Sequence, residues 1–210
     1  MSLNNYQIKL LAAVFMLVDH VGVVFFPQIL AFRAVGRLSF PLFAWLIAQG
    51  ESHTGDIRKY AGRLLIFGIL SQPVYSLLFT TAQLNILFTL LIGLLAVRLG
   101  KKFASSRSLI WAIAILIAAL IPMDAGSYGV ITVLLMASLP LRLTWWGMWL
   151  GLHIIYVLML QSSRPVQLFA VFTPLFIGAA NHEQGQRARW FYLFYPGHLA
   201  ILLLLERLLA

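Results

Sequence analysis

The chain has no cysteine, and only 6 of its 210 residues are acidic. The first absence excludes a disulfide framework, thiolate metal ligands and a cysteine nucleophile. Charge of either sign is scarce, at 10% of residues, and the polar stretches are no more than short loops. That leaves no material for a separate soluble domain. What is abundant is apolar: 61% of the residues are hydrophobic and the mean hydropathy is +0.92, far above the soluble range. These values predict an all-α, polytopic transmembrane helical bundle forming a single domain over residues 1–210, because lipid offers backbone groups no partner outside their own segment.

Lys and Arg outnumber the acids 15 to 6, giving a net charge of +9. Such an excess suits either nucleic acid or the basic cytoplasmic loops of a membrane protein. Here the cations sit between apolar runs, which points to a lipid bilayer and not to nucleic acid. The runs fall at approximately 6–26, 30–50, 62–79, 84–100, 107–122, 128–140, 144–160, 165–180 and 190–209, about nine spans of near-membrane length, with eight as the nearest competitor. Basic connections (Arg58, Lys59 and Arg63; Arg98, Lys101, Lys102 and Arg107; Arg187 and Arg189) alternate with weakly charged ones around Thr80-Thr81, Met123-Asp124-Ala125 and Gln161-Ser162-Ser163. The alternation places the N-terminus in the cytoplasm. The first run is too long, and too polar at its Asp19-His20 pair, for a signal peptide, so the first helix is expected to remain in the protein.

That pair contradicts its surroundings. An acid at mid-helix costs roughly 2.5–3.5 kcal/mol on insertion scales, so an intramembrane Asp beside a His is a site hypothesis by default. At helical period Lys9, Ala13, Met16 and His20 form one stripe with Asp19 on its flank. Arg33 and Arg37 misfit the charge rule at the outer end of the first two helices. A reversal around Pro27 would return them to Asp19, where an Arg neutralises the acid; a structural and a functional reading of these arginines weigh equally. Gly36 and Pro41 predict a kink beside Arg37 and Ser39, and Pro73 is read as opening a helix. Asn85 and Thr89 share a face and suit interhelical hydrogen bonding. His53 is read as solvated and His153 as a core histidine. In the last run Pro196 and Gly197 are expected to break the helix before His198, which places His198 at even odds of lining a site with Tyr195. Asp124 is read as a turn residue able to meet an incoming amine.

The runs KLLAAVFMLVDHVG, GRLSFPLFAWLIAQG, KYAGRLLIFGILSQPVY, NILFTLLIG, DAGSYGV and WFYLFYPGHL, kept in order over nearly the whole chain, resemble the TraX family of inner-membrane proteins. That family is known for acetylating the amino terminus of F-pilin, and it looks related to the wider transmembrane acyltransferases. The resemblance implies a multi-pass protein of the bacterial inner membrane that moves an acetyl or acyl group from cytoplasmic acetyl-CoA, or another acyl-CoA, to an acceptor peptide, protein or small molecule. Its motifs fall on Asp19-His20, on Arg37 with Ser39, Phe40 and Pro41, and on Tyr195, Pro196, His198 and Leu199. Acyl transfer needs a base, an oxyanion donor and a cradle for the CoA phosphates. His20 is read as the base, with Asp19, Arg37 and His198 completing the catalytic group. Lys9, Arg33, Arg58, Lys59, Arg63 and Tyr195 are read as the donor-binding set, with no metal. The rival class is a proton-coupled carrier or flippase, against which no inverted repeat of the Asp-His or GRLSFP pattern is found.

Overall fold

The computed structural model describes residues 2–138, 142–159, 166–186 and 190–209, which form helices joined by short turns. In order they are α1 (Asn5–Phe25), α2 (Leu30–Gly36), α3 (Ser39–His53), α4 (Ile57–Leu78), α5 (Ile86–Lys102), α6 (Arg107–Leu120), α7 (Gly126–Ala137), α8 (Leu143–Met159), α9 (Thr173–Gly178) and α10 (Phe191–Leu209), with 3-10 turns at Ala104–Ser106 and Val166–Phe172. Among the described residues each apolar run of the sequence falls mainly on helix, the one at 165–180 partly on a 3-10 turn. Among the described residues four segments are long and apolar enough to cross a membrane: Asn5–Phe25, Leu30–His53 taken across the α2–α3 turn, Ile57–Leu78 and Phe191–Leu209. The remaining helices are shorter. Arg187 and Arg189, and the Gln161-Ser162-Ser163 connection, lie outside the described residues.

Of three sequence expectations about prolines, one is met and two are corrected. The second run breaks into two helices at Arg37 and Leu38, beside Ser39 as expected and ahead of Pro41. Pro41 is the third residue of α3, where its missing N–H would have had no helical acceptor. Pro73 lies inside α4 and does not open it. Pro196 likewise lies inside α10, which runs unbroken through Gly197 and His198. In a bundle, neighbouring helices and local adjustment absorb the lost bond.

The chain divides into two compact units, Met1–Leu46 with Ser138–Ala188, and Ile47–Ala137 with Arg189–Ala210. In the first, α1 begins on a capping box: the Asn4 side chain accepts from the Gln7 amide and the Gln7 side chain from the Asn4 amide, each at 2.9 Å. The stretch before it is tied down by Leu3 and Asn5, whose amides donate to the Ala179 and Glu183 carbonyls at 2.7 and 2.8 Å. Ile8, Ala12, Ala13, Met16, Asp19 and Gly22 form the buried face of α1. Gly22 lets the Phe32 side chain of α2 lie directly on the α1 backbone, and the Ser39 hydroxyl donates to the Ala12 carbonyl at 2.8 Å. On α8, Trp145 and Trp149 stack at 5.5 Å and the Trp149 indole donates to the Val171 carbonyl at 3.2 Å.

In the second unit α4 packs on α5 and α10, and α5 on α6 and α7. Small residues permit the close approaches: Gly93 of α5 faces Val133 of α7, and Gly100 faces Trp111 of α6. On α6 the large residues Leu109, Ile113, Leu116 and Leu120 point outward while Ala114 and Ala118 are buried. That inversion of a soluble helix suits lipid. The α4 N-terminus is capped by Asp56, whose carboxylate accepts from the Lys59 amide at 3.1 Å; that hydrogen bond holds its carboxyl below the usual range, so the cap weakens only in acid.

Asn85 joins α4 to α5. Its side-chain NH2 donates to the Gly68 carbonyl at 2.8 Å and the Gln72 side chain at 2.9 Å, and its oxygen caps α5 by accepting from the Leu87 amide at 3.1 Å. It is fully buried. Asn85→Ala is expected to cost about 2 kcal/mol, since it uncaps the Leu87 amide and removes the bonds to the buried Gly68 carbonyl and the half-buried Gln72 side chain. A thermal-unfolding midpoint in detergent equal to wild type would show that water replaces all three bonds.

Candidate functional site

The first unit gathers its charge on α1 and α2. Asp19 stands on the buried face of α1, 12% exposed at its side chain. This corrects the sequence reading, which put His20 on that face and Asp19 beside it: the buried face runs through Ile8, Ala12, Met16, Asp19 and Gly22, while His20 and Lys9 are half-buried at its margin. The turn at Phe26–Gln28 reverses the chain as expected. One turn apart on α2 and its cap, Arg33 and Arg37 both reach back to Asp19. Arg33 Nη1 donates to Oδ2 at 2.7 Å; Arg37 Nη2 donates to Oδ1 and Oδ2 at 2.8 and 2.6 Å. Arg37 Nη1 also donates to Gln167 Oε1 at 3.3 Å.

Gly36 makes this geometry possible, because a side chain at that position would occupy the space of the Asp19 carboxylate. Two guanidiniums on one carboxylate leave one net positive charge, held by charge-assisted bonds in a largely desolvated place. Such a group can receive an anion or a developing negative charge. His20 follows Asp19 by one residue, about 100° further round the helix, and is the adjacent titratable ring. Gln167 was not singled out from the sequence; it lies 130 residues from Arg37, and an amide in a mostly apolar run gave no local signal.

The second unit holds the other expected residues. Arg58, Lys59 and Arg63 are exposed along the start of α4. Lys59 pairs with Asp56 at 3.4 Å. Arg63 Nε donates to the Tyr192 hydroxyl at 2.9 Å, and its guanidinium lies 5.5 Å from the Tyr192 ring centre and 5.8 Å from that of Tyr60. Two tyrosine rings thus hold one cation in place. Tyr195 and His198 are both buried, and their rings meet edge to face at 5.7 Å. His198 Nδ1 lies 2.8 Å from the Phe194 carbonyl, so Nδ1 carries the proton and Nε2 is the acceptor nitrogen. His153 of the first unit follows the same pattern with the Trp149 carbonyl at 2.8 Å, as a core histidine should. His53 is exposed.

Glu51 was missed by sequence reasoning. It stands at the end of α3 with its side chain 1% exposed, bonded to Arg98 at 3.3 Å and to Lys101. The cations that bury it come from α5. Among the described residues no group of three or more His, Asp or Glu is arranged to hold a metal ion.

The model of the TraX protein family matches residues 4–206 of this chain. A probable fimbrial assembly protein, FimC of serogroup H1, from Dichelobacter nodosus is 32% identical, with 95% of this chain and 94% of the relative aligned. An uncharacterised protein of Rickettsia prowazekii, strain Madrid E, is 29% identical over 43% of this chain and 36% of its own length. No solved structure matches significantly. A family model that takes in all but the ends of the sequence, and a relative aligned over nearly its full length, establish that the chain belongs to the TraX family.

Proposed function

We propose that this protein is a membrane-embedded acyltransferase, moving an acetyl or acyl group from acyl-CoA to an amine or hydroxyl acceptor, and that it sits in the bacterial inner membrane with its N-terminus in the cytoplasm. The observation that carries the reading is the Asp19 carboxylate clamped by Arg33 and Arg37 next to His20, inside a segment apolar enough to span a bilayer. A bundle needs one cation to neutralise one acid. The second leaves a positive site beside an imidazole, which is the pairing of base and oxyanion donor that acyl transfer requires.

In this mechanism the His20 imidazole takes the acceptor's proton as its nitrogen or oxygen attacks the thioester carbonyl. The Arg33–Arg37 pair steadies the tetrahedral oxyanion. Collapse breaks the carbon–sulfur bond, and the proton passes from the imidazolium to the departing CoA thiolate. Lys9, on the same helix as His20, meets the CoA phosphates. The acceptor is a pilin-like or fimbrial N-terminus, an assignment supported by the name of the Dichelobacter relative.

The test uses an accident of composition. Because the chain lacks cysteine, a thiol reagent added to the purified protein with acetyl-CoA reads released CoA alone. Release should depend on a peptide with a free N-terminus and vanish with the N-acetylated peptide. No release with any free-amine or hydroxyl acceptor, together with solute uptake by liposomes in the absence of CoA, would replace this reading with the carrier.

A further inference from the structure

The start of α4 holds one cation more firmly than membrane anchoring needs. An arginine that only marks one side of a bilayer is free to move at the surface. Arg63 is exposed, yet its Nε donates to the Tyr192 hydroxyl of α10 at 2.9 Å, and its guanidinium lies against the Tyr60 and Tyr192 rings. Both rings are themselves held. Tyr60 lies so close to Gly50 of α3 that a side chain there would come to 2.8 Å from its ring and its hydroxyl, and Tyr192 stacks on Phe67 of α4 at 5.2 Å. Such support fixes the plane of a guanidinium, which a diffuse charge does not require.

The arrangement includes no counter-ion. Arg33, Arg37, Lys59, Arg98 and Lys101 each pair with a carboxylate, whereas among the described residues no acid pairs with Arg63. The Tyr192 hydroxyl accepts the Nε bond through its oxygen, so its own hydrogen is still able to donate. A planar fork of N–H donors with a phenol O–H beside it is matched to the oxygens of a phosphate.

The rest of the helix distinguishes between phosphates. At helical spacing Lys59, Arg63, Ile66, Leu70, Pro73 and Leu77 form one stripe, and every one of them is exposed. From Arg63 to Leu77 the stripe runs about 20 Å at ~1.5 Å per residue, past the ~15 Å depth of one leaflet's hydrocarbon. A soluble phosphate compound gains nothing from an aliphatic face open to lipid. A phospholipid carries phosphate at one end and aliphatic chains at the other, and the unneutralised charge favours a headgroup that brings no cation of its own. We infer that Arg63, Tyr60 and Tyr192 bind the phosphate of an anionic phospholipid whose acyl chains lie along Ile66, Leu70 and Leu77. This gives Arg63 a role apart from the acyl donor and does not rest on the transfer reading.

The full chain in dodecylmaltoside micelles is titrated with dioleoylphosphatidylglycerol and with dioleoylphosphatidylcholine, and bound lipid is counted by native mass spectrometry. The first should bind at least about tenfold more tightly, the factor expected of one bond between charged groups. Arg63→Gln should remove that preference. Arg63→Lys, which keeps the charge but not the fork, should lose at least about threefold in phosphatidylglycerol affinity, and Tyr192→Phe, which keeps the ring but releases Nε, a smaller factor. The control is Arg58→Gln, also at an exposed position but about 140° round the helix from Arg63, which should bind phosphatidylglycerol as wild type does. Equal affinity for the two lipids, or the same loss in Arg58→Gln as in Arg63→Gln, overturns the site and leaves a diffuse basic surface. Displacement of the lipid by excess CoA or inorganic phosphate overturns the lipid assignment and gives the guanidinium to a soluble phosphate. Should a variant fail to fold, the wild-type comparison of the two lipids and the CoA competition still decide.

Discussion

His20→Ala should abolish acyl transfer and leave the protein folded. The ring is half-buried, at the margin of the α1 contact face, so truncation creates no large cavity and the thermal midpoint should shift by no more than the equivalent of about 1 kcal/mol. Removing a general base costs roughly 10²- to 10⁴-fold in rate, which in a CoA-release assay is indistinguishable from background. The informative comparison is the ratio of the two effects. A variant that loses activity and stability together has lost structure, and one that keeps both removes the imidazole from the mechanism. Binding of CoA should be nearly unchanged, because Lys9, the cation proposed to meet its phosphates, is untouched. A loss of CoA affinity equal to the loss of rate would assign His20 to the donor's pocket in place of the proton.

The Asp19 clamp was legible from the chain because its logic is local and strong. An acid in an apolar run has to find a cation, and the misplaced pair Arg33 and Arg37 lay just past the next turn. The identity of the buried face was harder: Asp19 and His20 are adjacent, and a shift of one residue rotates the face by 100°. Hydropathy favours neither, and the choice is made by Gly36, whose missing side chain admits the carboxylate. Prolines misled for the opposite reason. Pro73 and Pro196 break isolated helices, but here flanking helices support them. Glu51 escaped because its partners come from another helix: it meets Arg98 and Lys101 at sequence separations of 47 and 50. No periodicity in a single helix encodes such a meeting.

Gly36→Ala should be nearly as damaging as Asp19→Asn, although it changes no charge. The new methyl group would overlap Oδ1, Cγ and Cβ of Asp19, and the carboxylate has no freedom to withdraw, being held by Arg37 through both oxygens and by Arg33 through one. Either α2 moves off α1, at an overpacking cost of about 1–3 kcal/mol, or the carboxylate leaves the two arginines. The second course exposes partly buried cations to each other without their counter-ion, a loss of about 3 kcal/mol after allowing for their partial exposure. Asp19→Asn incurs that same loss directly. If the clash acts through the carboxylate, the two changes share one mechanism, so Gly36→Ala should cost at least about 1 kcal/mol less in an Asp19→Asn background, where the amide is no longer pinned, than in wild type. Gly62→Ala, with nothing within 4 Å of the added carbon, supplies the control and should be neutral or slightly stabilising. Strict additivity of the first two substitutions in thermal unfolding would mean that Gly36 serves helix approach alone and does not shape the clamp.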